Sequence, residues 1–283
     1  MKSLAAALNA LIDSRVWVAA MIACLSLFAA LSLGFPPRVV PLGLVFFYSV
    51  AIYNVDHVVD LPPGPRSRRA RALALVSGLA ALLLLTQASA ALAALVVVGA
   101  AAACAYFVPL PIRGRRVRIE TVPVFKPLLI GSAVSVAAVF VPLVDATTGH
   151  AAAPDELRRY LPEALYRTVV LSLWCGANTL LFDVRDVHVD RSSGVATAPV
   201  ARGVRFTLWL VTLLLFVTGG AAEVGFQLGL TSAPDARRGV EVAALCTLCC
   251  TWLLRKRRSP WFALAVDGTL AMPLVWLWAA RVV

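Results

Sequence analysis

Long apolar runs alternate with short polar connections from one end of the chain to the other. A helix that crosses a membrane needs about 20 mostly apolar residues. The pattern predicts nine such helices, over residues 16–33, 39–54, 72–85, 89–107, 125–144, 166–182, 206–222, 240–254 and 261–280. The second and third are short for a full crossing. In the connection between the fifth and sixth, residues 154–160 are expected to form a short surface helix. No long hydrophilic insertion interrupts the series, so a single all-α bundle over residues 1–283 is expected.

Composition fixes the class: 60% hydrophobic and 14% charged residues exclude an ordinary water-soluble globule. Lys2 and Arg15 flank the start of the first apolar run as they would in a secretory signal. That run is near spanning length and no A-x-A site follows, so it is read as a retained helix. The six cysteines fall in apolar runs, where Cys packs as a small hydrophobe. Cys246 and Cys249 have C-x-x-C spacing but lack a second ligand pair.

The net charge of +11 has a topological origin. Alternate connections gather nineteen of the twenty-six Lys and Arg residues, the remainder being Arg38, Arg158, Arg159, Arg167, Arg237, Arg238 and Arg281. By the positive-inside rule the N-terminus is cytoplasmic and the C-terminus external. This distribution gives no reason to expect a nucleic-acid partner.

Five of the fifteen carboxylates lie in two short stretches, 54–60 and 183–190, each at the end of an apolar run and both on the cytoplasmic side. If the helices continue through them, Asp56 and Asp60 share one face, and Asp183, Asp186 and Asp190 form a stripe. Like charges stacked in this way repel, so a cation is expected between them. Mg²⁺ suits oxygen ligands that leave room for water and phosphate. His57 and His188 lack the thiolate company of a zinc site and read as hydrogen-bonding residues at the rim. Arg66, Arg185 and Arg191 stand near the acids, and with metal ions they describe a clamp for a phosphorylated group. Arg68, Arg69, Arg71 and the run 255–258 read as topogenic charge only. Lys126, among apolar neighbours, either snorkels to the interface or meets an anion. Asn178 is a polar group facing a cavity or an interhelical hydrogen-bonding residue, and Asp267, inside the last run, has the same two readings.

The stretch from Asp183 to Val200 resembles the second aspartate-rich motif of the UbiA superfamily of intramembrane prenyltransferases, D-[IV]-[RK]-D-x-x-x-D-R-x-x-G-[IV]-x-T-x-P-V, at about eleven positions. Two acidic clusters after the second and sixth helices are also that family's arrangement. The resemblance implies nine transmembrane helices around a cavity that opens to the cytoplasm. It implies Mg²⁺-dependent binding of an isoprenyl diphosphate, with Asp183, Asp186 and Asp190 as second-site metal ligands and catalytic Asp56, Asp60, Asp183 and Asp186. It also brings Tyr106 and Lys126 near the diphosphate. The first motif departs from the usual N-x-x-x-D-x-x-x-D: aligned on Asp56 and Asp60, Arg66 falls in place but Ile52 occupies the Asn position, with Asn54 as a shifted substitute.

The function expected is transfer of a prenyl group to a lipophilic, often aromatic, acceptor in the membrane. A membrane terpene cyclase would need the same clusters without an acceptor. A transporter would place its acids nearer the midplane, and the D-G-x-x-A-R signature of phosphatidyl-type alcohol transferases is absent.

Overall fold

The computed structural model describes residues 2–60, 64–107, 110–112, 115–117, 125–148, 154–231, 233–254 and 259–282. Helices dominate: α1 (Lys2–Asp13), α2 (Val16–Ser32), α3 (Val39–Asp60), α4 (Pro65–Leu85), α5 (Ala90–Phe107), α6 (Phe125–Thr148), α7 (Pro154–Ser192), α8 (Ala198–Arg202), α9 (Val204–Gln227), α10 (Pro234–Leu253), α11 (Pro260–Gly268) and α12 (Met272–Val282). One small antiparallel hairpin, β1 (Leu110–Ile112) with β2 (Arg115–Val117), follows α5, in register Leu110 opposite Val117.

Among the described residues, five helices are long and apolar enough to cross a membrane: 39–58, α6, 155–192, α9 and the segment 260–281. A sixth is added if the pair α1 and α2, bent by 65°, counts as one crossing. Every predicted run is helical, with altered limits. The second run continues to Asp60, so the first acidic cluster lies on α3 itself. The third begins earlier, at Pro65, a residue suited to the first helical position, where the Gly64 N–H donates to Ser67 Oγ and that hydroxyl donates to the Gly64 carbonyl, both at 3.1 Å. The surface helix expected at 154–160 is not separate. It is the start of α7, whose 39 residues continue past Pro162. At ~1.5 Å per residue α7 is ~58 Å long, nearly twice the hydrocarbon thickness, so it projects beyond a bilayer.

In lipid, helices gain little from hiding apolar side chains from one another, and association rests on close packing and interhelical hydrogen bonds. Large apolar side chains such as Leu83, Phe216 and Trp278 accordingly point outward. Inside, Trp174 is fully buried and donates to Thr247 Oγ1 at 3.0 Å. Buried threonines at 212, 247 and 251 return their hydroxyls to the carbonyl four residues earlier. A close backbone approach joins α6 to α7. A Cβ on Gly131 would lie 2.6 Å from the Gly176 nitrogen and 2.7 Å from the Ser172 carbonyl oxygen, so only glycine lets the two backbones meet. The last crossing is broken by a 3-10 turn at Thr269–Ala271.

Candidate functional site

Hydrogen bonds at opposite ends of α2 orient the bundle. Ser32, at its end, accepts from Arg167 on α7. Ser14, just before its start, accepts from Asn54 near the end of α3. Asp183 lies sixteen residues beyond Arg167 on α7, ~24 Å along the axis. Both acidic clusters therefore stand at the same end of the bundle.

The second cluster is the better defined. Crossing at Gly131 and Gly176 brings the start of α6 beside the last third of α7, and Lys126 Nζ lies 3.9 Å from Asp183 Oδ1. Asp183 is buried, and its Oδ2 has no hydrogen-bond partner among the described residues. Polar atoms buried without a partner are rare in native proteins, because each forfeits its hydration. Asp186 is differently placed: it is half exposed and accepts a fork from its neighbour Arg185, at 2.8 Å from Nε and 2.7 Å from a terminal nitrogen. The Arg185 guanidinium also lies 4.7 Å above the Phe182 ring. Asp190 accepts from Thr197 Oγ1 at 3.0 Å.

The end of α7 explains much of the motif's lettering. The Val195 N–H bonds to the Asp190 carbonyl and the Gly194 N–H to that of Arg191, the two closures of a Schellman turn. Gly194 occupies the left-handed position, φ 72°, that this turn demands. Thr197 then precedes α8, with Pro199 in its first turn. Gly194, Thr197 and Pro199 thus fold the chain back, while the aspartates carry the negative charge.

In the first cluster, Asn54 is fully buried and its Nδ2 donates to the Ser14 carbonyl at 3.0 Å and the Val50 carbonyl at 2.8 Å. Asp56 is half-buried, within electrostatic reach of Tyr53. Asp60 closes α3, but its side chain lies outside the described residues, as do residues 255–258. Arg66 and Arg191 are exposed, and Tyr106 is half-buried near the end of α5. Asn178 is committed to the broken last crossing: its Nδ2 donates to the Val266 carbonyl at 3.3 Å and to Thr269 Oγ1 at 3.4 Å.

Two residues that the sequence leaves undecided or unmarked link the clusters. Asp267, buried on α11, lies within electrostatic reach of Arg15 and Arg185, and Arg15 in turn contacts His57 of the first cluster at 3.3 Å. Among the described residues no three Asp, Glu, His or Cys side chains converge closely enough to enclose a metal ion. Asp186 faces Arg185 instead, and the Asp60 side chain is outside the described residues. The donor set is nonetheless all oxygen, and the partnerless Asp183 Oδ2 is an acceptor of the kind that a hard cation fills.

The opposite end holds a small cavity of about 30 Å³, room for a water molecule, lined by Phe28, Tyr166, Arg167, Thr231 and Arg237 among others. It is remote from both clusters.

The profile of the UbiA prenyltransferase family matches residues 61–261. No curated protein matches in sequence. Several solved structures are similar in fold. The apo structure of a UbiA homolog from Aeropyrum pernix K1 is 19% identical, with a TM-score of 0.65 over 92% of this chain and 98% of that one. A UbiA homolog from Archaeoglobus fulgidus bound to GPP and Mg²⁺ is 13% identical, with a TM-score of 0.60 over 94% and 99%. A structure concerned with digeranylgeranylglyceryl phosphate synthase is 13% identical, with a TM-score of 0.56 over 94% of each chain.

Proposed function

This integral multi-pass membrane protein belongs to the UbiA prenyltransferase family, and on that premise we propose that it binds an isoprenyl diphosphate at its aspartate-lined end, ionises it and transfers the prenyl group to a lipophilic acceptor. The observation that carries the reading is the buried Asp183, whose Oδ2 lacks a partner among the described residues while Lys126 stands 3.9 Å from its Oδ1. At 3.9 Å the ammonium is too far for a hydrogen bond, so Lys126 offsets the charge of Asp183 without satisfying its oxygens. The Archaeoglobus fulgidus homolog, bound to GPP and Mg²⁺, supports a prenyl diphosphate as the substrate class.

Asp183, Asp186 and Asp190 would hold one magnesium ion, and Asp56 and Asp60 another. Bound magnesium supplies positive charge that stabilises a departing diphosphate. The chain's own part is to hold and shield. Lys126, Arg66, Arg185 and Arg191 offer donors to phosphate oxygens, and charge-assisted bonds of this kind are the strong ones. Asn54 and Asn178 act from behind, one bracing the start of α2 and the other the broken last crossing. Tyr106 lies on the diphosphate side. Apolar helix walls exclude water from the allylic cation that remains.

The full reading is a bundle of nine transmembrane helices formed by one domain over residues 1–283. Its central cavity opens to the cytoplasm, with the N-terminus cytoplasmic and the C-terminus external. Purified protein incubated with Mg²⁺, labelled prenyl diphosphates and a membrane extract should yield a labelled adduct identifiable by mass. A cyclised product from the diphosphate alone would make the chain a cyclase, and no diphosphate release under any condition would refute both readings.

A further inference from the structure

Arg15 is the one non-glycine residue with positive φ among the described residues, at φ 61° and ψ 6°. A residue with a Cβ stays in that region only where its surroundings hold it there. Arg15 forms the elbow between α1 and α2, which meet at 65°.

Two contacts from α3 hold the elbow. Asn54 donates to the Ser14 carbonyl at 3.0 Å, and an Arg15 terminal nitrogen lies 3.3 Å from His57 Nδ1. A guanidinium has donors only, so Nδ1 accepts and the ring proton sits on Nε2. Asn54 and His57 bracket Asp56 along the same helix.

On its other side the elbow meets the last crossing. Trp17 Nε1 donates to the Leu264 carbonyl at 3.3 Å, and a Cβ on Gly268 would lie 3.7 Å from the Trp17 ring. Also, α1 packs on α11. Arg15 acts electrostatically on the buried Asp267, and Asp13, at the end of α1, acts on Arg185 of the second cluster.

We infer that the Ser14–Arg15 elbow is a positioning device for the first aspartate cluster: its left-handed backbone aims the Arg15 guanidinium at His57 and towards Asp267, fixing the end of α3 against the last crossing. This rests on the reading of that end as the diphosphate site. Arg15 is a positioning residue, because it works through His57 and Asp267. It lies ahead of the stretch that matches the family profile.

The test uses purified full-length protein carrying Arg15→Gly, which keeps a residue at ease in the elbow but removes the guanidinium, together with Arg15→Lys, His57→Ala and the double variant R15G/H57A. Thermal unfolding in detergent and steady-state kinetics with a prenyl diphosphate are both measured. Arg15→Gly should lower kcat by about tenfold to a hundredfold, the scale of a slight misplacement in a site, while KM for the diphosphate changes less than about threefold. Arg15→Lys should recover part of kcat. In unfolding, the double variant should be no less stable than the weaker single variant.

Wild-type kcat in Arg15→Gly, a rise in KM that accounts for the whole loss, or additive unfolding effects of Arg15→Gly and His57→Ala would each overturn the inference. If the wild type itself releases diphosphate from no prenyl substrate, the functional reading falls. The unfolding cycle then decides the elbow alone, with additivity overturning it and non-additivity sustaining it.

Discussion

The two ends of the bundle treat charge in opposite ways. At the far end, buried charges have counter-charges within the chain: Asp145 meets the partly exposed Arg38 at 2.9 Å, Arg167 meets Glu163 at 2.5 Å with Ser32 and Thr231 completing its fork, and Arg237 lies between Glu223 and Glu241, although its buried Nε makes no hydrogen bond among the described residues. At the aspartate end, the buried Asp183 keeps one oxygen without a donor among the described residues, and Lys126 stands at 3.9 Å from the other. Ionised groups near hydrocarbon are tolerated when paired. The far end is thus largely neutralised from within, whereas the aspartate end keeps a buried carboxylate oxygen without a donor among the described residues.

That contrast can be broken at either end. Asp183→Asn should reduce turnover by about 10³-fold, some 4 kcal/mol of barrier, with the unfolding temperature held or raised because a buried, partly compensated charge has gone. Arg167→Met should do the reverse: breaking one side of a buried pair lowers stability by about 3 kcal/mol, while turnover per folded molecule stays at the wild-type value. An equal loss of turnover from both substitutions would erase the distinction.

Gly131→Ala probes the crossing that sets Lys126 beside Asp183. The added methyl meets backbone on α7, so overpacking of about 2 kcal/mol is expected, with turnover falling as the pair separates. Thermal unfolding and kinetics on one preparation would read both. The mildest case is Arg38→Ala. Its own side chain is 40% exposed but Asp145 is buried, so loss of the pair leaves a carboxylate without that donor and should lower stability by about 1–2 kcal/mol.

Much of the aspartate end is legible in the sequence, because acids are scarce in this chain and the second motif is long enough to identify. The letters do not reveal which of them fold the chain and which carry charge. Gly194 and Thr197 become intelligible only with the Schellman turn and the bond to Asp190. Asn54 reads in the sequence as a substrate contact, yet its amide hydrogens brace Ser14 and Val50. Arg15, Arg167 and Arg237 read as topogenic or residual charge, since their partners His57, Ser32 and Glu223 lie 42, 135 and 14 residues away along the chain. A helix that is apolar all round has no sequence-defined inner face, so α2 does not announce which neighbours its ends touch. The junction of the surface segment with α7 is hidden for another reason: Pro154 and Pro162 suggest separate punctuation, but the helix starts at one and runs through the other.

Asp60 closes α3 and Asp190 sits in the final turn of α7. Aligned peptide dipoles leave roughly half a negative charge at such a terminus, where basic side chains are ordinarily favoured. Acids at both helix tails deepen the negative potential that the backbone already sets up, offset in part by Arg191 in the same turn of α7, and any anion arriving there has that field to overcome. Counter-charge is therefore a condition of this basin's ground state, ahead of any chemistry performed in it.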